Sequence, residues 1–251
     1  MAIADWEKRT ALLLTPEQLD RLHKAHVLLV GLGGVGGYAL EILARAGIGH
    51  LTLVDGDIIA PTNINRQLLA THSSLGQSKV VLATQRILDI NPTAQVEGHD
   101  LLLHDEAMDT LLATPYDLVV DAIDTLTPKC HLIKLTTAHG YPLVGSLGSG
   151  ARLRPDTIRI APLALSYNDP LGVVLRKRLR KLCGTLPNYW VIFSEEPAAP
   201  HAVVEELGPY KRSTVGTISY LPALFGAMLG GLAIEILLGL RPPTPPLTPK
   251  Q

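Results

Sequence analysis

Gly31, Gly33 and Gly36 punctuate the stretch LLVGLGGVGG at residues 28–37 with the spacing G-x-G-x-x-G, after an apolar run and before a segment of helical periodicity. Glycines in that place let the backbone approach a phosphate closely, and the amino terminus of the following helix favours negative charge. Asp55 closes the next apolar run, where a carboxylate accepts hydrogen bonds from ribose hydroxyls, and Asp57 in the same DGD run belongs with it in the nucleotide-binding set. This chemistry calls for a nucleotide, and NAD, FAD and ATP satisfy it alike. The alternative is a tight packing turn between a strand and a helix.

Three further residues separate the ligands. Arg66 lies on a long polar loop eleven residues after Asp55, Lys79 in the first turn of the next helix, and Asp124 just beyond a later strand end. An enzyme that adenylates a carboxylate must hold a triphosphate, neutralise its charge while the carboxylate attacks the α-phosphorus, and stabilise the departing pyrophosphate. Two cations converging from a loop and a helix suit that task, and Asp124 suits a Mg²⁺ ion on the triphosphate. A dinucleotide oxidoreductase needs no such clamp. Taken singly, Arg66 and Lys79 also read as surface charges and Asp124 as a helix cap.

The elements that must position these residues alternate. Strand-length apolar runs at 26–31, 50–55, 94–100, 116–124 and 142–147 are interleaved with helical segments at 35–47, 76–91, 106–112 and 128–139. The pattern predicts an α/β fold: a doubly wound, Rossmann-like sheet of mostly parallel strands, helices on both faces, and a C-terminal antiparallel extension. After Gly148 the sequence predicts a hairpin turning at Pro155–Asp156, a basic helix over 169–184, a surface loop over 195–209 and an apolar helix over 218–240. A single ATP-binding domain spans 1–241, with a helical arm over about 1–25. The proline-rich tail 242–251 is expected to be disordered.

Composition narrows the classes. With 251 residues, 47% of them apolar, the chain can bury one substantial core, and a net charge of −1 provides no global field for nucleic acid. Two cysteines, Cys130 and Cys183, form no Cys-x-x-Cys pair, so no zinc site is expected and a reducing compartment is. The amino terminus lacks a signal-peptide core, so a cytoplasmic protein is expected. Residues 218–240 are apolar enough to suggest a membrane span, but Pro222, Glu235 and several glycines favour a buried core helix. Cys183 is read as a small hydrophobe rather than a nucleophile. His72, His104 and His131 lack the spacing of a metal site or triad.

In order and spacing, GLGGVGG, LVDGDIIAPTNINRQ, GQSK and VVDAIDT resemble the ubiquitin-activating-enzyme-like superfamily over about residues 9–148. Within it, NDPLGVVLRKRLRK and GTISYLPALFGAMLGGLAIEIL are similar to the tRNA threonylcarbamoyladenosine dehydratases. The resemblance implies that Gly31, Gly33, Gly34 and Gly36 line the ATP site and that Asp55 holds ribose. Arg66 and Lys79 would contact the phosphates, Asn63 and Gln67 would support the Arg66 loop, and Asp124 would serve Mg²⁺. It also implies a homodimer in which Arg9 acts from the neighbouring subunit, and a tRNA partner presenting its modified anticodon stem-loop. Arg176, Lys177, Arg178, Arg180 and Lys181 crowd the basic helix above a stripe of Leu175, Leu179 and Leu182, with Lys211 and Arg212 extending the patch. A solvated helix face is the alternative for that run.

The implied reaction is ATP-dependent adenylation of the base's own carboxylate followed by ring closure. The rival readings are adenylation of a ubiquitin-like sulfur carrier, an NAD- or FAD-dependent oxidoreductase, and a membrane-anchored nucleotide module. A sulfur-transfer-type accessory protein is a further candidate partner.

Overall fold

The structure, a computed structural model, describes residues 3–101, 105–205 and 213–246. Two short helices, α1 (Lys8–Leu13) and α2 (Pro16–Lys24), precede the first strand. Thr15 and Gln18 make a reciprocal capping box at the start of α2, and Leu19 and Leu22 fasten that helix to the body.

Alternation then runs as the periodicity predicts: β1 (His26–Val30), α3 (Gly36–Arg45), β2 (His50–Val54), α4 (Lys79–Ile90), β3 (Gln95–His99), α5 (Asp105–Leu112), β4 (Leu118–Asp121), α6 (Leu126–His139) and β5 (Leu143–Ser146). There follow β6 (Ile158–Pro162), α7 (Pro170–Cys183), β7 (Trp190–Ser194), β8 (Val203–Glu205), β9 (Ser213–Val215) and α8 (Tyr220–Leu237). The main sheet has the order β3-β2-β1-β4-β5-β7-β6, parallel throughout except for β6 against β7. Chain order reverses between β1 and β4, and in this architecture ligands bind at the carboxyl ends of the strands flanking such a reversal.

Side chains alternate across the sheet and so build a core on each face. Val27 and Leu29 of β1 join α3, α4 and α8 on one side, whereas Leu28 and Val30 join α5, α6 and α7 on the other. Burial on both faces explains why the central strands read as continuous apolar runs. At the sheet edge, QVEGH of β3 is largely open to solvent.

Three expectations need correction. No hairpin forms within 150–163: residues 155–157 are a 3₁₀ turn, and β6 pairs with β7 beyond α7, Ile158 opposite Ser194. The irregular 195–209 region contains β8, paired with β9 across residues outside the described set. Residues 242–246 pack rather than lie free. Trp190 Nε1 donates to Pro242 O at 2.9 Å, Asn188 Nδ2 donates to Pro245 O at 2.7 Å, and Pro245 is buried. The rest of the tail, 247–251, lies outside the described residues.

Among the described residues, α8 is the one helix long and apolar enough to cross a membrane by length and composition. It lies instead against α3 and strands β4, β5 and β7, with Leu221, Phe225 and Leu229 fully buried. A side chain at Gly226 would collide with Val35 O, at the cap of α3, and with Tyr38 Cβ of α3, so glycine is what lets the two helices approach.

Candidate functional site

Not every glycine in the turn after β1 is needed by the fold. Gly31 has φ +92°, and a Cβ there would sit 2.8 Å from Ala122 O, just past the end of β4. A Cβ on Gly36 would collide with Gly31 O. Packing therefore accounts for the first and third glycines of the motif. At Gly33 the nearest atom to an added Cβ is Gln67 Nε2 at 3.8 Å, so packing leaves room there. That room adjoins the amino terminus of α3, whose cap residue, Val35, offers no side-chain acceptor. Unsatisfied N–H groups and the helix dipole favour an anion at such a place. The cradle fits a phosphate, and the packing-turn reading leaves Gly33 unexplained.

Asp55 is built into the same turn. Its Oδ2 accepts from Leu32 N–H at 2.6 Å and its Oδ1 from Asp57 N–H at 2.9 Å. Lys79 reaches both acids, with Nζ 2.7 Å from Asp57 Oδ2 and 3.7 Å from Asp55 Oδ1, although its side chain is only 4% exposed. Burial raises the Asp55 carboxyl above its ordinary range, and the Lys79 ammonium with the two backbone donors partly opposes this. Lys79 gets there because the loop after β2 pairs with the start of α4: Lys79 N donates to Asp57 O at 3.2 Å and Ile59 N to Gln77 O at 2.9 Å.

Asn63 shapes the neighbouring loop. Its Oδ1 accepts from Ala60 N–H at 3.0 Å, while its carbonyl accepts from Arg66 N–H at 3.1 Å and Gln67 N–H at 2.9 Å. The turn presents Arg66, half-buried, its guanidinium donating to Thr62 O at 2.8 Å and Asn65 Oδ1 at 2.9 Å. Gln67 is buried, and its Oε1 has no hydrogen-bond partner. A buried acceptor beside the open space at Gly33 is what a donor-bearing ligand would satisfy. Gly34 joins the pieces, because a Cβ there would lie 3.0 Å from Pro222 of α8 and 3.5 Å from Arg66 Cγ.

Asp124 is exposed, three residues past β4, and its Oδ1 accepts from Thr125 Oγ1 at 3.3 Å. Thr125, not Asp124, occupies the cap position of α6, so the helix-cap reading fails. Among the described residues, no three His, Cys, Asp or Glu side chains are grouped to hold a metal ion. One carboxylate beside a triphosphate is nonetheless a normal Mg²⁺ arrangement.

Two predicted regions lie apart from this cluster. Arg9 is exposed on α1, and the arm docks through Glu7, whose Oε1 meets His23 Nε2 at 2.7 Å and lies beside Gly47. Gly47 follows the far end of α3, about 15 Å of helix from the glycine turn. The arm is thus fastened at the end of α3 remote from its own chain's cradle.

The basic helix α7 starts near Gly148, where Asp169 accepts from Gly148 N–H at 3.1 Å and caps the helix through Gly172 N–H at 2.7 Å. Lys177, Arg178, Arg180 and Lys181 are exposed, and Arg178 donates to Thr127 Oγ1 at 3.1 Å, close to Asp124 in the chain. Arg176 turns inward to Ser166 Oγ at 2.5 Å. The apolar stripe is shorter than expected: Leu175 and Leu179 are buried, but Leu182 is 41% exposed. Lys211, Arg212 and His104 lie outside the described residues.

Burial pushes the Cys183 and Cys130 thiols up, away from the reactive thiolate. His72 is exposed, and His131 sits half-buried on α6.

Sequence reasoning missed two buried ion pairs. Lys129 Nζ lies 2.8 Å from Asp121 Oδ2 with both side chains fully buried, and Arg152 Nη2 lies 3.1 Å from Asp169 Oδ2. A lysine among apolar residues of α6 is the only signal for the first. Nothing local signals the second.

Residues 7–250 match the ThiF family. The tRNA threonylcarbamoyladenosine dehydratase of Bacillus subtilis (strain 168) is 34% identical over 244 residues, covering 92% of this chain and 93% of that protein. The dehydratase of Escherichia coli (strain K12) is 37% identical over 186 residues, covering 73% and 69%. A crystal structure of the E. coli tRNA N6-threonylcarbamoyladenosine dehydratase in complex with ATP superposes with a TM-score of 0.85 at 32% identity, covering 96% of this chain and 98% of that one.

Proposed function

Because the chain belongs to the ThiF family, we propose that it is an ATP-dependent tRNA threonylcarbamoyladenosine dehydratase. The carboxylate of the modified base attacks the α-phosphorus of ATP and pyrophosphate leaves. An internal nucleophile of the same base then attacks the acyl adenylate, loses its proton and expels AMP, closing a ring with net loss of water. Holding both groups on one substrate removes the need for an enzymic thiol, since intramolecular attack can be worth an effective molarity of ~10⁵ M or more. The raised Cys183 and Cys130 thiols accord with this.

The residues divide the work. Gly31, Gly33, Gly34 and Gly36 with the α3 amino terminus cradle phosphate. Asp55 and Asp57 receive ribose, and Asp57 yields Lys79 to the phosphates. Arg66 and Lys79 stabilise charge as pyrophosphate departs. Asn63 holds the Arg66 loop, and Gln67 offers its unpaired acceptor to the nucleotide. Asp124 holds Mg²⁺, which when bound neutralises triphosphate charge. Arg9 completes the site from the second protomer of a homodimer, in line with the remote docking of its arm.

Arg178 and Arg180, with Lys211 and Arg212, form the tRNA side, while Arg176, turned in to Ser166, supports the helix that presents them. The anticodon stem-loop approaches between α7 and the Asp124 loop. The enzyme works in the cytoplasm, and a sulfur-transfer-type protein is a candidate accessory partner.

The observation that carries this reading is the likeness to named dehydratases along nearly the whole chain, α7 and α8 included, beyond the adenylating half. Mass spectrometry of nucleosides from threonylcarbamoyladenosine-bearing tRNA, incubated with the protein, ATP and Mg²⁺, tests it. A product lighter by one water, dependent on ATP, is expected; unchanged nucleosides with turnover of a sulfur carrier would replace it by the rival adenylation.

A further inference from the structure

The two charges buried deepest beside the site touch no position assigned to substrate. Asp121 ends β4 and Lys129 lies in the first turns of α6, both with side chains 0% exposed. Their hydrogen bonds converge on a single residue. Asp121 Oδ1 accepts from Ile123 N–H at 3.1 Å, and Lys129 Nζ donates to Ile123 O at 3.0 Å. Ile123 directly precedes Asp124. The segment is held on its other flank as well, by Ala122 N–H donating to Val30 O at 2.9 Å and by Ala122 O lying against Gly31. Behind the pair, Gly145 leaves space for the Asp121 carboxylate and the buried ring of Tyr189.

Stability is a poor reason for such a pair. Desolvating two charges offsets most of their attraction, and apolar replacements of similar volume are often neutral or stabilising. What an apolar pair cannot do is satisfy both the N–H and the C=O of Ile123 and so fix the path of the chain into Asp124. From this geometry we infer that Asp121 and Lys129 are positioning residues that hold the Asp124 loop in its working conformation. The inference rests on the proposed function, in which Asp124 acts on the triphosphate. The pair itself touches neither ATP nor tRNA and works through the backbone of residues 122–124.

The test is a kinetic cycle on the full chain, reading pyrophosphate release with ATP, Mg²⁺ and threonylcarbamoyladenosine-bearing tRNA. Its members are Asp124→Asn, the double variant Asp121→Asn/Lys129→Met, and all three substitutions together. The double variant is expected to fold and to lose about ten-fold or more in kcat with KM for ATP changed less than about three-fold. In the Asp124→Asn background the same double substitution should change kcat no further, because the group it positions is already gone. A folded double variant with wild-type kcat, or losses that multiply in the triple variant, would overturn the inference, the latter marking a purely structural pair. Should the double variant not fold, the cycle is run with Lys129→Gln, under the same criteria. Absence of pyrophosphate release by the wild-type chain would overturn the functional reading and the inference together, whereas an active wild type with an indifferent pair overturns the inference alone.

Discussion

The two halves of the sheet are assembled differently. From β1 to α4, Asp55, Arg66, Gln67 and Lys79 are set by partners no more than 23 positions away: Asp55 holds the Leu32 and Asp57 amides, Asn63 builds the turn for Arg66 and Gln67, and Lys79 meets Asp57 across the long loop after β2. From Gly148 onward, the ties reach further, Arg152 to Glu196 spanning 44 positions and Thr157 to Ser194 spanning 37. Arg152 alone ties together Gly148 O, Gly150 O, Asn168 O, the Asp169 carboxylate and Glu196 O. It also sustains non-glycine backbone at positive φ, 58° at Ala151 and 54° at Asn168. Chemistry on a mononucleotide needs a compact constellation, which short motifs can encode. Presenting a polymer requires a helix held at a distance, which takes long-range struts.

The largest expected effect tests the strut. Arg152→Met leaves the buried Asp169 carboxylate, which also caps α7, without its cation. Breaking a buried pair from one side typically costs about 3–5 kcal/mol. Chemical denaturation should show a loss of that order, and ATP should still bind to whatever remains folded. A loss within about 0.5 kcal/mol would mean that the second half does not depend on the pair.

In the first half the corresponding variants should affect rate. Arg66→Ala is expected to reduce kcat/KM by about 10²-fold or more with the fold intact, because a charge facing departing pyrophosphate matters most in the transition state. Lys79→Ala should match it in rate but also lose stability, since Asp55 and Asp57 then face each other without their shared cation. Steady-state kinetics beside thermal melts separates the two, and near-wild-type rates for both would move the phosphate site elsewhere.

The same contrast explains what could be read in advance. The glycine turn, Asp55, Arg66 and Lys79 can be singled out as candidates because ligand chemistry constrains both residue type and spacing. α8 is legible for a different reason, Glu235 being a poor membrane residue while Gly226 and Gly230 suit close packing on α3. β6 and β7 were not legible as partners, since WVIFS is a uniform apolar run without alternation and its mate lies beyond α7. Asp121 and Asp124 sit three apart in one motif, and only burial separates the inner, lysine-paired acid from the exposed one. The packing of residues 242–246 is not legible, because composition cannot anticipate Trp190 and Asn188 offering donors to the Pro242 and Pro245 carbonyls.

A smaller effect belongs to α7. Arg176 is engaged with Ser166, so the exposed Arg178 and Arg180 should carry phosphate contact. Replacing each of these with glutamine should reduce the slope of log affinity for tRNA against log salt by about 0.7–0.9. Arg176→Gln should leave that slope unchanged and lower stability instead. Filter binding across a salt series measures this, and equal slopes for all variants would make α7 a solvated face.

The smallest effect falls at the opposite sheet end, remote from both sites. His26 stacks on His50 with ring centroids 3.6 Å apart, bonds Thr52 Oγ1 at 2.8 Å, and lies edge-on to Tyr116. Burial first, and then the neighbouring His50, lower its pKa from the ordinary 6.5, while Asp117 and Glu97 oppose the shift. The unfolded chain therefore takes up a proton at higher pH than the folded one. Stability from this group is complete above the unfolded value of about 6.5 and is lost as pH falls from there through the lower folded value. His26→Gln should flatten the dependence in that window, above the range where carboxylates titrate, while leaving dehydration kinetics alone. Melting temperatures of both chains from pH 7.5 to 5.5 would show it, and parallel curves would mean that the ring stack takes up its proton without strain.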